Sequence, residues 1–310
     1  MDISIVIPLY NKKDTVARAL QSVLMQTYSP REIIVVNDGS SDGSESVVRT
    51  MDIACLRLVE QDNAGVSAAR NHGWRVARCE WVAFLDADDE WNPDFLGTIA
   101  ALHEGFPDHE VFATAYFAGD YQGNRRPIIL NRVPFLGERG VLENYFEVAA
   151  CSDPPLWSSA ICIRRDALHE IGGFPLNVKS GEDLLTWARL AARKPPVYST
   201  KPLAVFWQEK AHTYDDRPNR MPEPDDPVGK GLAELKKKPE ALSRDIDNYL
   251  SMWHKMRSSI YLRLGLRGSA LVETLKGLYY QPLNKKLYIY LLLCAMPQAL
   301  TRNIFKQFGR

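Results

Sequence analysis

Ile3-Ser4-Ile5-Val6-Ile7-Pro8-Leu9 is the stretch on which the fold turns. It is a short, almost uninterrupted apolar run, the pattern of a strand buried on both faces. Asp14 or Thr15 can cap a following helix that carries Val16, Leu20, Val23 and Leu24 at helical spacing. Outward from there the patterns alternate. Residues 32–36 read as a strand, 42–50 as a helix, 56–61 as a strand and 66–77 as a helix. Residues 81–85 then read as a strand and 93–103 as a helix with Pro93 in its first turn. Strands alternating with helices predict right-handed βαβ units and a mostly parallel sheet covered on both faces. The expected class is α/β.

Beyond about Val111 the alternation weakens. Residues 158–163 and 202–208 read as strands and 181–193 as a helix. Pro218, Pro222, Pro224 and Pro227 then fall in an Asp-rich stretch read as a linker. From there to the end the pattern is helical. The 310 residues carry 38 Lys+Arg and 38 Asp+Glu, with 45% hydrophobic residues. That composition excludes a disordered, collagen-like or many-span membrane chain. Five cysteines without CxxC spacing argue against a disulfide framework or structural zinc and suit a reducing compartment. Met1-Asp2-Ile3-Ser4 lacks the pattern of a signal peptide.

In an open parallel sheet, ligands bind at the carboxyl ends of the strands. Here those exits read Pro8-Leu9-Tyr10-Asn11, then Asn37-Asp38-Gly39-Ser40-Ser41-Asp42, then Gln61-Asp62-Asn63-Ala64-Gly65, then Asp86-Ala87-Asp88-Asp89. No G-x-G-x-x-G follows the first strand. Three clustered acids at 86–89 repel one another unless a cation neutralises them, and hard oxygens suit Mg2+ or Mn2+. The plainer reading is a solvated turn whose Asp caps the next helix. Asp38 can accept from a nucleobase N–H beside the face of Tyr10, or simply form a turn. Arg70 is either a phosphate contact or a surface charge. Glu182-Asp183 opens a helix, where acids are favoured by the macrodipole. The alternative is a general base over the crevice.

Taken together these pieces resemble the family 2 glycosyltransferases of GT-A fold. The matching motifs are residues 5–11, 35–42, 63–73, 84–89 and 181–183. The resemblance covers about residues 1–210. It implies a GT-A type, Rossmann-like catalytic domain over 1–214, with a nucleotide-sugar half at about 1–110 and an acceptor half at 111–214. A linker at 215–231 and a basic helical segment at 232–310 complete the expected organisation. The resemblance further implies an inverting, metal-dependent transfer of one sugar from a nucleoside diphosphate donor, a UDP-sugar being favoured. By analogy Pro8, Tyr10, Asn11, Asp38, Asn63, Gly65, Arg70, Asp86 and Ala87 would bind the nucleotide-sugar. Asp88 would hold Mn2+ or Mg2+, Asp183 would deprotonate the acceptor hydroxyl, and Glu182 would orient that base or shape the acceptor pocket. Many relatives add a histidine ligand after the late strand; neither Glu209 nor His212 falls in place for it. No Gln-x-x-Arg-Trp follows Asp183, so transfer of one sugar per encounter is expected.

The last stretch carries its own signal. From Met252 to Arg310 only Glu273 is acidic among many Lys and Arg, and residues 287–296 are apolar but too short to span a bilayer. Two readings follow: a helix lying on an anionic membrane surface, or a helix packed in a core or a dimer. The first implies a lipid-linked saccharide acceptor in bacterial surface polysaccharide assembly. It also implies a cytoplasmic location, peripheral at the inner face of the cell membrane. Nucleic acid is the poorer partner. A nucleotidyltransferase would want a glycine-rich loop after the first strand, and a catalytically silent scaffold would not need Asp88 and Asp183.

Overall fold

The run at Ile3–Leu9 forms strand β1, and all of it is buried. The structure, a computed structural model, describes residues 1–208, 221–237, 240–298, 300, 301, 303 and 304. After β1 come α1 (Val16–Leu24), β2 (Glu32–Asp38), α2 (Ser44–Thr50), β3 (Leu56–Gln61), α3 (Val66–Val76) and β4 (Trp81–Phe84). β1 pairs in parallel with β2 on one side and β4 on the other, and β3 lies parallel outside β2. The chain therefore builds outward from β1 on one flank and then crosses to the other. That reversal leaves a crevice at the carboxyl ends of β1 and β4.

The strand sequences fit these places. β1, β2 and β4 are buried along their whole length, whereas β3, at the sheet edge, is only partly covered. Val6 O accepts from Leu85 N, so the backbone groups of Val6, and two residues later of Pro8, face the β4 side. The β4 ladder stops opposite Val6, so the missing N–H of Pro8 costs no ladder bond. α3 packs close on β1: a Cβ on Gly73 would sit 2.3 Å from Val6 Cγ1, which only glycine avoids.

The second half of the sheet is where the structure departs from the sequence pattern. It contains β5 (Glu90–Trp91), α4 (Phe95–Gly105), β6 (Val111–Gly119), β7 (Arg125–Pro127), β8 (Arg139–Val141), α5 (Tyr145–Cys151), β9 (Ile161–Arg164), α6 (Arg165–Glu170), α7 (Glu182–Ala191) and β10 (Val197–Trp207). The main path runs β3-β2-β1-β4-β9-β6-β10-β5, with β7 on β6 and β8 on β10. β9 is antiparallel to both β4 and β6, while β6 and β10 run parallel. β6 was not legible because β9 and β10, its neighbours in the sheet, lie far along the chain, so no βα rhythm announces it. Residues 158–160 form a 3-10 turn instead of strand, because Ser159 turns to bind the β4 exit and Trp91. Pro202 is interior to β10, not its start, and sits at an irregularity of the β6–β10 ladder that spares its missing donor. Thr15 makes no capping bond to α1; Thr15 and Val16 donate instead to Lys12 O.

The chain divides into two compact units, the described residues of Met1–Asn177 with Glu182–Lys210 and those of Val178–Gly181 with Ala211–Arg310. The second is helical: α8 (Pro227–Leu235), α9 (Glu240–Arg263), α10 (Arg267–Tyr280) and α11 (Lys285–Ala295). The Pro- and Asp-rich stretch thus ends in a helix start. Asp226 accepts from Gly229 N, and Pro227 occupies the first turn, where no donor is needed. Glu273 is buried in this unit, where it accepts from His254 at 2.7 Å, Arg257 at 2.9 Å and Lys276 at 3.0 Å. Burial alone would raise its carboxyl, but these partners hold it down at about 2. Asp226, His254 and Glu273 are close enough to hold an ion, yet Arg257 already bridges the two carboxylates, so the cluster is an internal ion-pair network. In α11 Leu287 and Leu293 are buried while Tyr288, Ile289 and Leu292 are exposed. Among the described residues, no helix is long and apolar enough to cross a membrane.

Candidate active site

Asp38 ends β2 and is 2% exposed. Its Oδ1 accepts from Gln61 Nε2 at 2.7 Å and Ala64 N at 2.8 Å, and its Oδ2 from Gly65 N at 2.9 Å. Asn63 Nδ2 donates to the Asp38 carbonyl at 3.0 Å. The carboxylate therefore fastens the loop between β3 and α3 to the end of β2. Gly65 carries φ +90° and ψ 163°, a region closed to side chains, and this presents its N–H to Asp38. Only one lone pair on Oδ2 is left for an incoming donor.

The β1 exit is locked just as tightly. Asn11 is left-handed at φ +51°, accepts from Ser41 N at 2.8 Å and donates its own N–H to Ser40. Lys12 N donates to Ser44 Oγ, and Lys13 N to Asp42. Asp42 is held below the usual carboxylate range: burial opposes this, but donors from Ser44 and Lys13 outweigh it. Tyr10 projects from this locked loop 48% exposed, and Pro8 behind it is buried.

The acids after β4 have separate fates. Asp86 receives Arg70 Nη2 on both oxygens, at 2.7 and 3.0 Å. Arg70 is 3% exposed, and Glu182 Oε1 lies 3.9 Å from its Nη1. Burial lowers the guanidinium, but Asp86, Glu182 and Asp183 more than offset it, so it stays charged. Ala87 is buried. Asp88 Oδ2 pairs with Lys12 Nζ at 2.7 Å, about a quarter of each side chain being exposed, and its carbonyl accepts from Arg18. Asp89 is buried and accepts from Ser159 Oγ at 2.5 Å, Trp157 Nε1 at 3.1 Å and Trp207 N at 3.1 Å. Burial first, then the charges of Asp86 and Asp88, push its carboxyl well up. Cations thus face two of these acids, as their mutual repulsion requires. Arg70 and Lys12 neutralise two of them, and burial favours the neutral form of the third. Asp89 caps no helix; it ties β10 to the β4 exit.

Glu182 and Asp183 open α7, and Asp183 Oδ1 accepts from Leu184 N at 2.7 Å. Asp183 is half-buried, whereas Glu182 is 3% exposed. Tyr116 Oη, donating to Pro154 O, is pushed up by burial and then by Asp153, Asp183 and Asp89. The crevice beyond β1 and β4 therefore gathers Asp86, Asp88, Arg70, Glu182 and Asp183 from three separate parts of the chain. Sequence reading missed Lys12, Arg18, Arg125, Trp207 and Tyr116. Arg18 and Arg125 stand over the Trp207 ring at 5.3 and 4.9 Å, and both pair with Glu90. No local signal marks them, because each acquires its role through contacts distant in sequence. Glu209 and His212 lie outside the described residues.

As to a divalent ion, the donor set fits in one way. Asp86 is engaged by Arg70 and Asp89 is buried among donors, which leaves Asp88 as the hard carboxylate facing the crevice. One carboxylate with substrate phosphates and water is a usual set for Mg2+.

The comparisons with known proteins bear on the family and the fold. Residues 4–172 match the profile of glycosyl transferase family 2. The chain is similar to the uncharacterized glycosyltransferase YibD of Escherichia coli, 41% identical over 102 residues, 32% of this chain and 30% of that protein. It is also similar to the succinoglycan biosynthesis protein ExoO of Rhizobium meliloti, 40% identical over 96 residues, 31% of this chain and 28% of that protein. These matches span under a third of either relative. Among solved structures it resembles Staphylococcus aureus TarS 1-349 in complex with UDP-GlcNAc, with TM-score 0.72 and 18% identity, covering 100% of this chain and 92% of that one. It also resembles the mannosyltransferase PcManGT from Pyrobaculum calidifontis in complex with GDP-Man and Mn2+, with TM-score 0.56 and 19% identity, covering 99% and 87%. The fold is GT-A, the matched profile takes in more than half of the residues, and the chain belongs to glycosyl transferase family 2.

Proposed function

We propose that the protein is an inverting, metal-dependent glycosyltransferase that moves one sugar from a nucleoside diphosphate sugar to a hydroxyl of a saccharide acceptor. The observation that carries this reading is the crevice itself. Asp88 and the exposed ring of Tyr10 stand on the exits of β4 and β1, and Asp183 opens α7 within the same field of charges. Tyr10 offers a face to the base, the remaining lone pair of Asp38 accepts from it, and Asn11, Asn63 and Gly65 shape the loops around it. Asp183 takes the proton of the acceptor hydroxyl. That oxygen then bonds to the anomeric carbon as the bond to the diphosphate breaks, and the nucleotide leaves with the electron pair. Glu182, bound into the Arg70 cluster, fixes the start of α7 and so the place of the base. A divalent ion on Asp88, when bound, supplies positive charge for the departing diphosphate. A UDP-sugar is favoured as donor, because TarS, the similar structure of higher TM-score, holds UDP-GlcNAc.

Donor binding tests this reading. Thermal-shift titrations with UDP, GDP, dTDP and CDP, each with and without Mn2+, should show one responder. At a hundred times its dissociation constant that ligand adds about 2.7 kcal/mol of stability. Asp88→Ala should lose the Mn2+-dependent part of the shift. Silence toward all four nucleotides at saturating concentration overturns the proposal.

The acceptor in this proposal is lipid-linked, at the inner face of a membrane. Support comes from the helical unit, where the one acid of residues 252–310, Glu273, is spent internally and Lys285 and Lys286 are exposed beside Leu283, Tyr288, Ile289 and Leu292. Exposed apolar and aromatic side chains beside lysines suit an anionic interface. Replacing Leu283, Ile289 and Leu292 together by Glu should abolish sedimentation with vesicles containing phosphatidylglycerol. Undiminished sedimentation would remove the membrane from the proposal.

A further inference from the structure

In the helical unit, Lys255 is half-buried on α9, and no acid stands beside it. Its neighbours one turn away on the helix are Ser251, Met252, Ser258 and Ser259, none of them charged. Glu273, the one acid from residue 252 to the end, is already bonded to His254, Arg257 and Lys276. Among the described residues the Lys255 ammonium forms no hydrogen bond or ion pair. The start of α11 is fastened nearby. Asn284 Nδ2 donates to Ser251 Oγ at 3.3 Å, one turn before Lys255, and Asn284 Oδ1 accepts from Lys286 N at 3.2 Å. Tyr288 Oη donates to Pro282 O at 2.8 Å, and Leu287 is buried so close to Gly277 that a Cβ there would lie 2.9 Å from it. Burial lowers the Lys255 ammonium, and the charge of Lys286 lowers it further. Two cations thus stand together, one of them short of water, and among the described residues no carboxylate separates them.

We infer that Lys255 and Lys286 together seat the phosphate of an anionic lipid headgroup. A phosphodiester between the two ammoniums offsets their repulsion and gives Lys255 the charged acceptor that its helix does not. The surroundings favour a lipid as its source. Leu283 precedes Lys286 and is 89% exposed, and Ile289 follows it one turn along α11 and is exposed too. Apolar side chains able to enter an interface thus flank the lysine that meets the headgroup. From residue 274 to 298 every charged residue is a lysine, which matches an anionic surface. The lipid as source rests on the membrane reading of this unit; the seat for a phosphate rests only on the two lysines.

Lys255→Met, Lys286→Met and Lys285→Met in the full chain test this. In buffer without phosphate, Lys255→Met should unfold at a higher temperature than the parent, because a half-buried charge is removed. A lower temperature would mean that the fold already satisfies the ammonium, and overturns the seat. Inorganic phosphate should raise the unfolding temperature of the parent more than that of Lys255→Met or Lys286→Met. On vesicles of phosphatidylglycerol in phosphatidylcholine, Lys255→Met should bind at least about fivefold more weakly than the parent, the usual worth of one lysine at an anionic surface. It should also lose more than Lys285→Met. A diffuse field of charge predicts the opposite order, since Lys285 is exposed and Lys255 half-buried, and that order overturns the seat. So does an equal response of the parent and Lys255→Met to both phosphate and vesicles. If phosphate separates those two while the parent ignores vesicles, the seat takes a soluble phosphate, and the lipid falls together with the membrane reading.

Discussion

Asp183→Asn should bind nucleotide and Mn2+ nearly as the parent does and transfer sugar about 10²- to 10⁴-fold more slowly, the usual range for losing a general base. The amide keeps the shape of the carboxylate, and its oxygen can still accept from Leu184 N. It cannot take up the proton of an acceptor hydroxyl. The loss of a negative charge in the first turn of α7 costs about 1–2 kcal/mol at a half-buried position, so the fold survives the change. Single-turnover transfer beside a donor titration separates the two effects. Transfer at the parent rate would place the base elsewhere. Loss of donor binding equal to the loss of rate would make Asp183 a binding residue.

The second large effect is on stability. Arg70→Met should cost about 3–5 kcal/mol, because a paired buried charge loses its partner. Arg70 donates to both oxygens of Asp86 and lies beside Glu182, which is 3% exposed. Methionine fills much of the volume and keeps an apolar contact with Phe174, whose ring faces the guanidinium at 5.3 Å. The charge alone is then in question. Equilibrium unfolding in urea measures it, and a loss under about 1 kcal/mol would mean that water or rearrangement already satisfies these acids. Arg70 thus carries the site as a buried counter-ion, a role that separates it from the surface charge or phosphate contact that the sequence offered.

The first half of the sheet was legible because its parallel strands carry short apolar or alternating runs separated by helical patterns. β1 and β2 are covered along their whole length and β3, at the edge, only in part. Ile3–Leu9 and Leu56–Gln61 begin and end where the pattern does, and Glu32–Asp38 runs two residues longer. The second half was not. β6 follows the helix α4, but it pairs with β9 and β10, far along the chain, and one of them antiparallel, so no regular alternation marks it. Ser159 left the strand pattern to serve Asp86 N and Asp89, a role set by contacts about seventy residues away.

The same division runs through the site. Strand exits must carry polar groups because backbone and side chains emerge there from the apolar sheet, and so the sequence by itself placed Asn11, Asp38, Asn63, Asp86 and Asp88 among the candidates, with Asp183 added at a helix start. It also determined the α/β class, through apolar runs whose period is local. The fate of each acid was decided only by the tertiary structure. Asp38 is mostly engaged in holding a loop, Asp86 lies under Arg70, Asp88 faces Lys12, and Asp89 is buried against Trp157 and Ser159. A carboxylate's chemistry depends on the charges and donors within a few ångströms and on its distance from water. Neighbours in sequence supply few of those, and the packing of distant segments supplies the rest.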